Sequence, residues 1–92
     1  MRFEWDDAKA AANLGKHGVS FEEATEVFDD PYALDDVDAE HSYDEKRFFV
    51  IGYSAARMLR VVFVERRGDV IRIISARLPT PAERKAYEEQ ES

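Results

Sequence analysis

The chain has 92 residues, 20 of them acidic and 13 basic, for a net charge of −7, and no cysteine. At this length one domain, residues 1–92, buries about 60–65% of its unfolded surface, and the missing cysteines exclude a disulfide framework, a thiolate zinc site and a cysteine nucleophile. The opening Met1–Asp7 lacks the basic and apolar regions of a leader, and no apolar run approaches about 18 residues, so a cytoplasmic domain without membrane contact is expected.

Arg2-Phe3-Glu4-Trp5 alternates polar and apolar residues, as a short strand does. The alanine-rich stretch from Asp7 to Lys16 favours helix, with Asp6 as its cap and Gly18 as its stop. Ser20-Phe21-Glu22-Glu23 has the form of a capping box, which predicts a second helix from Phe21 to Phe28 with Phe21, Ala24, Val27 and Phe28 as its core stripe. Asp29-Asp30-Pro31 breaks that helix, and a strand is expected over Tyr32 to Val37. After a polar turn around His41 to Glu45, strands are expected over Arg47 to Tyr53 and Met58 to Glu65, joined by Ser54-Ala55-Ala56. Arg66-Arg67-Gly68-Asp69 reads as a tight hairpin leading into a strand from Val70 to Ala76. Thr80 then caps a last helix, with Pro81 at its first position and Glu83 closing a capping box. Helices before and after a run of hairpin-linked strands define an α+β domain with an antiparallel sheet and its helices on one face.

Charge along the chain is segregated. Residues 1–45 hold fourteen acids and three bases, whereas residues 46–85 hold three acids and ten bases, so a segment of net +7 sits inside an acidic protein. A local basic face of this kind can dock phosphates even when the whole surface repels them. Its members are Arg57, Arg60, Arg72 and Arg77 on strands, and Arg84, Lys85 and Tyr87 on the last helix. By simple alternation Arg77 shares a face with Ile71, Ile73 and Ser75, and Arg72 shares the other with Ile74, so the pattern leaves open which face is exposed. Arginines at strand ends can hold a phosphate bidentately, or they can pair with the acidic helices of the same molecule. Lys9, Asn13 and Lys16 recur at helical spacing and lead to His17. The lysines could stabilise an anionic transition state and the histidine could move protons, or the Lys-His end could simply complement the helix dipole. His41 reads as a solvated turn residue. Asp35, Asp36, Asp38 and Glu40 are acidic enough to suggest a magnesium or calcium site, but their spacing fits no calcium loop, and a solvated, edge-guarding stretch accounts for them.

Two multi-residue motifs, Lys16-His17-Gly18-Val19-Ser20-Phe21 and Arg72-Ile73-Ile74-Ser75-Ala76-Arg77, carry a resemblance to BrnT-type toxins. Phe3-Glu4-Trp5-Asp6, Lys9, Asn13, Ala24, Val27-Phe28, Pro31, Arg47, Ile51-Gly52, Glu83 and Tyr87 extend it in the same order over nearly the whole chain. The resemblance implies a RelE-like α+β fold, with two N-terminal helices and one C-terminal helix around an antiparallel sheet. It also implies an RNA-cleaving toxin that inhibits translation, neutralised by a BrnA-like ribbon-helix-helix antitoxin through which alone it would meet DNA. Cleavage in that superfamily uses the RNA's own 2′-hydroxyl, which requires cationic stabilisation and proton transfer but no cofactor or metal. Carried onto this chain, the catalytic candidates are Lys16, His17, Arg77, Arg84 and Tyr87, and the RNA-binding candidates are Lys9, Asn13, Arg60, Arg72 and Lys85. A binding module without catalysis, or a metal-dependent phosphodiesterase using the acidic stretch, are the competing readings.

Overall fold

A computed structural model describes residues 1–42 and 44–90. Its elements are β1 (Arg2–Glu4), α1 (Asp7–His17), α2 (Phe21–Thr25), β2 (Leu34–Val37), β3 (Phe48–Tyr53), β4 (Met58–Arg66), β5 (Val70–Arg77) and α3 (Pro81–Glu89), with 3-10 turns at Glu26–Asp29 and Ala39–His41. The sheet order is β1-β5-β4-β3-β2. β2 to β5 form the expected antiparallel meander, while β1 returns to pair parallel with β5. The domain is therefore α+β, with a sheet antiparallel except at β1.

Local chemistry sets most boundaries. Asp6 and Ser20 accept from the backbone N–H of Lys9 and Glu23, and Gly18 ends α1 at φ 69°, a conformation that costs glycine nothing. The second helix is shorter than its pattern predicts, because its last turn tightens to a 3-10 form before Asp30-Pro31. Asp30 then accepts from the N–H of Tyr32, and this side-chain turn delays the next strand to Leu34. The β4–β5 connection places both Gly68 and Asp69 at positive φ, 73° and 63°.

The two faces of the sheet are built differently. Val19 before α2, Phe21 and Ala24 on it and Val27 in the 3-10 turn after it close one face over Val50, Leu59, Val61, Phe63, Ile71, Ile73 and Ala76. Each fully buried large side chain here contributes about 1.5–3 kcal/mol of transfer free energy. Phe28 bridges this core by ring contacts to Phe3 and Phe63, and Trp5 meets Phe21 edge-on at 5.9 Å. The helices do not all share that face. α3 packs on the opposite one, where Tyr87 joins Ile51 and Met58 with Leu34 and Phe49 beside them. One-sided packing fails because α3 begins only four residues after β5, at the end of the sheet, where Met58 and Ile51 supply an apolar landing on the far side.

A bulge alters which residues of β5 share a face. Val62 pairs with Ser75 and Phe63 with Ile73, so Ile74 is an extra residue without an opposite number. One inserted residue reverses alternation beyond it. Simple alternation put Arg77 with Ile71 and Ile73; the bulge instead leaves Ile71, Ile73 and Ala76 in the core and brings Arg72, Ser75 and Arg77 to the α3 face, opposite Val64, Val62 and Arg60.

Candidate active site

β1 pairs with β5 only as far as Arg72, leaving the outer edge of β5 at Ala76, on the side away from β4, without a neighbouring strand. α1 fills that place with a side chain. Asn13 Oδ1 accepts from Ala76 N–H at 3.1 Å, and its amide donates to the carbonyls of Ala76 (2.8 Å) and Val19 (2.9 Å). The amide thus imitates a strand partner, and at 7% exposure it is committed to holding α1 against β5 rather than reaching a ligand. On the same helix Lys9, Lys16 and His17 stand beside Ile74 and Ser75 at the bulged end of β5.

There two hollows of about 240 and 230 Å³ adjoin, sharing Ile74 and Ser75 as lining residues. Lys9, Lys16 and His17 line one side. Asp38, His41, Arg47, Arg60 and Val62 line the other. This shared floor coincides with the bulge, where an inserted residue lets consecutive positions face one groove. A larger hollow of about 510 Å³ at Pro31, Tyr32, Ala33 and Gln90 gathers no cation and no acid–base pair. Size alone does not mark the site.

Arg60 and Arg77, directly opposite on β4 and β5, converge on Glu83. Arg77 is bidentate, donating to Oε1 at 2.8 Å and Oε2 at 3.0 Å. Arg60 Nε lies 2.9 Å from Oε2, an ion pair whose N–H is not aimed at the oxygen and makes no hydrogen bond. Its guanidinium stacks 4.8 Å above the Phe49 ring. Glu83 also closes the predicted capping box with Thr80. Burial acts to raise its pKa, but the hydrogen bonds from Arg77 and the Thr80 amide and the two arginine charges outweigh burial and hold it below the ordinary carboxylate value. Two guanidinium groups around one carboxylate leave a net positive charge in a geometry already shaped for an oxyanion.

The remaining candidates divide. Arg72 pairs with Glu4 of β1 at 2.6 Å, and Arg57, which stands in the β3–β4 turn and not on a strand, pairs with Glu23 of α2 at 2.8 Å, so internal pairing, the sequence's alternative, describes these two as it does Arg60 and Arg77 with Glu83. Arg57 and Ser54 also draw the Glu23 side chain away from the expected capping box; the hydrogen bond from Arg57 is the largest influence lowering the Glu23 pKa. Tyr87 is buried in the second core, edge-on to Tyr53, and its hydroxyl donates to Asp30 Oδ2 at 2.7 Å. Burial would raise the Asp30 pKa, but Tyr87 and the amides of Tyr53 and Tyr32 lower it overall. Tyr87 therefore positions α3 at the sheet. Arg84 and Lys85 are exposed on the same helix.

His41 is the residue that sequence reasoning passed over. It is not simply solvated: its Nδ1 lies 3.1 and 3.2 Å from the two oxygens of Asp38, a carboxylate buried to 7% exposure. The Asp38-x-x-His41 spacing was the available signal, obscured by the surrounding acids. β2 ends at Val37, so Asp36, Asp38 and Glu40 do not share a strand face as a continued strand would require. Among the described residues no group of three His, Asp or Glu side chains could hold a metal ion, and no helix is long and apolar enough to cross a membrane.

The arrangement defines a small α+β domain with a cationic groove at one bulged strand. It is similar in fold to the ribonuclease toxin BrnT of Brucella abortus, whose crystal structure aligns with a TM-score of 0.63 over 87% of this chain and 97% of that one, at 22% identity. No curated protein sequence matches the chain. The family model for the ribonuclease toxin BrnT of type II toxin–antitoxin systems matches residues 5–83, and the chain belongs to that family. Membership implies an antitoxin as partner.

Proposed function

We propose that this chain is a metal-independent endoribonuclease that inhibits translation in the cytoplasm, cutting RNA across the groove floored by Ile74 and Ser75. The observation that carries this reading is the convergence of Lys9, Lys16, His17, Arg47 and Arg60 on adjoining hollows in a protein whose overall charge is −7. Cations gathered on one groove counter the repulsion of an acidic surface and stabilise the doubly charged phosphorane of 2′-hydroxyl attack. Arg60 and Arg77 hold the phosphate oxygens, with Arg84, Lys85 and Arg72 along the approaching backbone and Asn13 and Tyr87 as positioning groups. His17 transfers a proton at the groove wall. A BrnA-like ribbon-helix-helix antitoxin covers the same groove, so its affinity falls as salt rises, and contact with DNA comes only through it.

The test is incubation of the purified chain with RNA, with and without chelator, followed by analysis of the new ends. Cleavage that survives chelation and leaves 2′,3′-cyclic phosphate and 5′-hydroxyl ends is expected. Products with 3′-hydroxyl and 5′-phosphate ends that require a divalent cation would overturn the mechanism. Absence of any cleavage would leave a partner-binding module.

A further inference from the structure

We infer that His41 is the proton acceptor of the cleavage reaction, aligned by the buried Asp38, and that His17 in the adjoining hollow is the proton donor. This rests on the ribonuclease reading above and assigns its two proton-transfer roles.

The pair is built, not incidental. Asp38 N–H donates to the Arg47 carbonyl at 2.8 Å, and Ser42 Oγ donates to the Asp38 carbonyl at 2.7 Å while accepting from Arg47 N–H at 2.9 Å. These bonds fasten the 3-10 turn carrying His41 to the start of β3. The imidazole is 54% exposed and the Asp38 side chain 8%. A carboxylate only accepts, so Nδ1 carries hydrogen and Nε2 presents its lone pair. Around this hollow stand the Asp38 carboxylate, Arg47 and Arg60; around the His17 hollow stand Lys9 and Lys16. The two hollows share Ile74 and Ser75, and each has one histidine among its lining residues.

The step balances on these groups alone. His41 Nε2 takes the 2′-hydroxyl proton as the 2′-oxygen bonds to phosphorus. The bond from phosphorus to the 5′-oxygen breaks, and that oxygen takes its proton from the His17 imidazolium. A 2′,3′-cyclic phosphate and a 5′-hydroxyl leave, and exchange with water restores both rings. Asp38 acts through His41 and is a positioning residue.

The discriminating experiment compares wild type, His41→Asn, His17→Asn and Asp38→Asn on an oligoribonucleotide spanning a mapped cut site. A matched oligonucleotide carries sulfur in place of the 5′-oxygen at that site, a leaving group that needs no proton. His41→Asn should slow cleavage about 10²–10⁴-fold and remove the acidic limb of the pH–rate profile, with no recovery on the sulfur substrate. His17→Asn should be slow on the oxygen substrate and recover on sulfur. Asp38→Asn should lower kcat with KM retained; His41→Asn, at an exposed ring, carries the test if Asp38→Asn does not fold. Wild-type rate and pH profile in folded His41→Asn would overturn this inference while leaving the ribonuclease reading intact, as would recovery of His41→Asn on sulfur. Wild type that cleaves no RNA would overturn the ribonuclease reading and this assignment with it.

Discussion

The two faces of the sheet use neighbouring residues of the same strands for opposite ends. On β4, Leu59, Val61 and Phe63 disappear into the core beneath α1 and α2, while Arg60 and Val62 between them line a charged groove. One face is closed by residues of the first two helices and their turns; the other is met by α3, where Tyr87 joins Ile51 and Met58 and Glu83 joins Arg60 and Arg77. Alternation on a strand therefore separates stability from chemistry at intervals of one residue, and substitutions should sort by face more cleanly than by position in the chain.

The largest effect belongs to the closed face. Phe21→Ala removes a fully buried ring that touches Trp5 and should cost about 3–5 kcal/mol in urea unfolding. Any remaining folded protein should cleave RNA at the wild-type rate, and a selective loss of rate would blur the division. Arg77→Ala tests the open face. It should reduce cleavage about 10²–10³-fold, the usual cost of one transition-state contact. Stability should change by only about 0–1 kcal/mol, because Glu83 keeps its cap on Thr80 and its contact with Arg60. Full activity in this variant would remove Arg77 from the phosphate site.

Asn13→Ala should cross the boundary between the faces. It leaves the buried N–H and C=O of Ala76 unpaired, which should destabilise the fold by about 1–3 kcal/mol and loosen the wall that carries Lys16 and His17. Denaturation and cleavage should then fall together, and an unaffected Tm would show that water replaces the amide without loss. The smallest effect is a pH dependence. The pKa values of Glu83, Glu23 and Asp30 are lowered in the folded state, so the stability they lend is complete above the ordinary carboxylate range near about pH 4. It is lost as pH falls through their depressed folded values. Glu83→Gln should flatten that acid limb, measurable as a smaller drop in unfolding midpoint between pH 5 and 3.

What was legible in the sequence was local. The Thr80–Glu83 capping box, the Gly18 stop, the Gly68 turn and the meander of β3, β4 and β5 each depend on residues a few positions apart, and each stands where its pattern put it. What depended on counting across a sheet was not legible. No residue type announces the bulge at Ile74, yet it decides that Arg77 lies with Arg60 and not with Ile73. The placement of α3 follows from an apolar landing made by three separated segments, Ile51, Met58 and Tyr87. Of the residues singled out from charge and motif, Lys9, Lys16 and His17 line one hollow and Arg60 the adjoining one, with Ile74 and Ser75 common to both. Asn13 pairs with the backbone of Ala76 and Val19, and an amide that does so looks the same in sequence as one that reads RNA. The pairing of His41 with Asp38 was not legible because that partner is one carboxylate among many.

Asn13 has a consequence for how this protein behaves in a crowd. An exposed strand is a template on which a second chain can grow a β-ladder, and sheet proteins that leave one bare risk aggregation. Here β1 shields only three residues of β5, and an amide side chain occupies the hydrogen-bonding groups of Ala76 beyond it. The opposite margin, β2, is four residues long and carries Asp35 and Asp36. A foreign strand therefore meets a fragment and a decoy on one side and repelling charge on the other, which gives a single buried asparagine the task of keeping this small sheet finite.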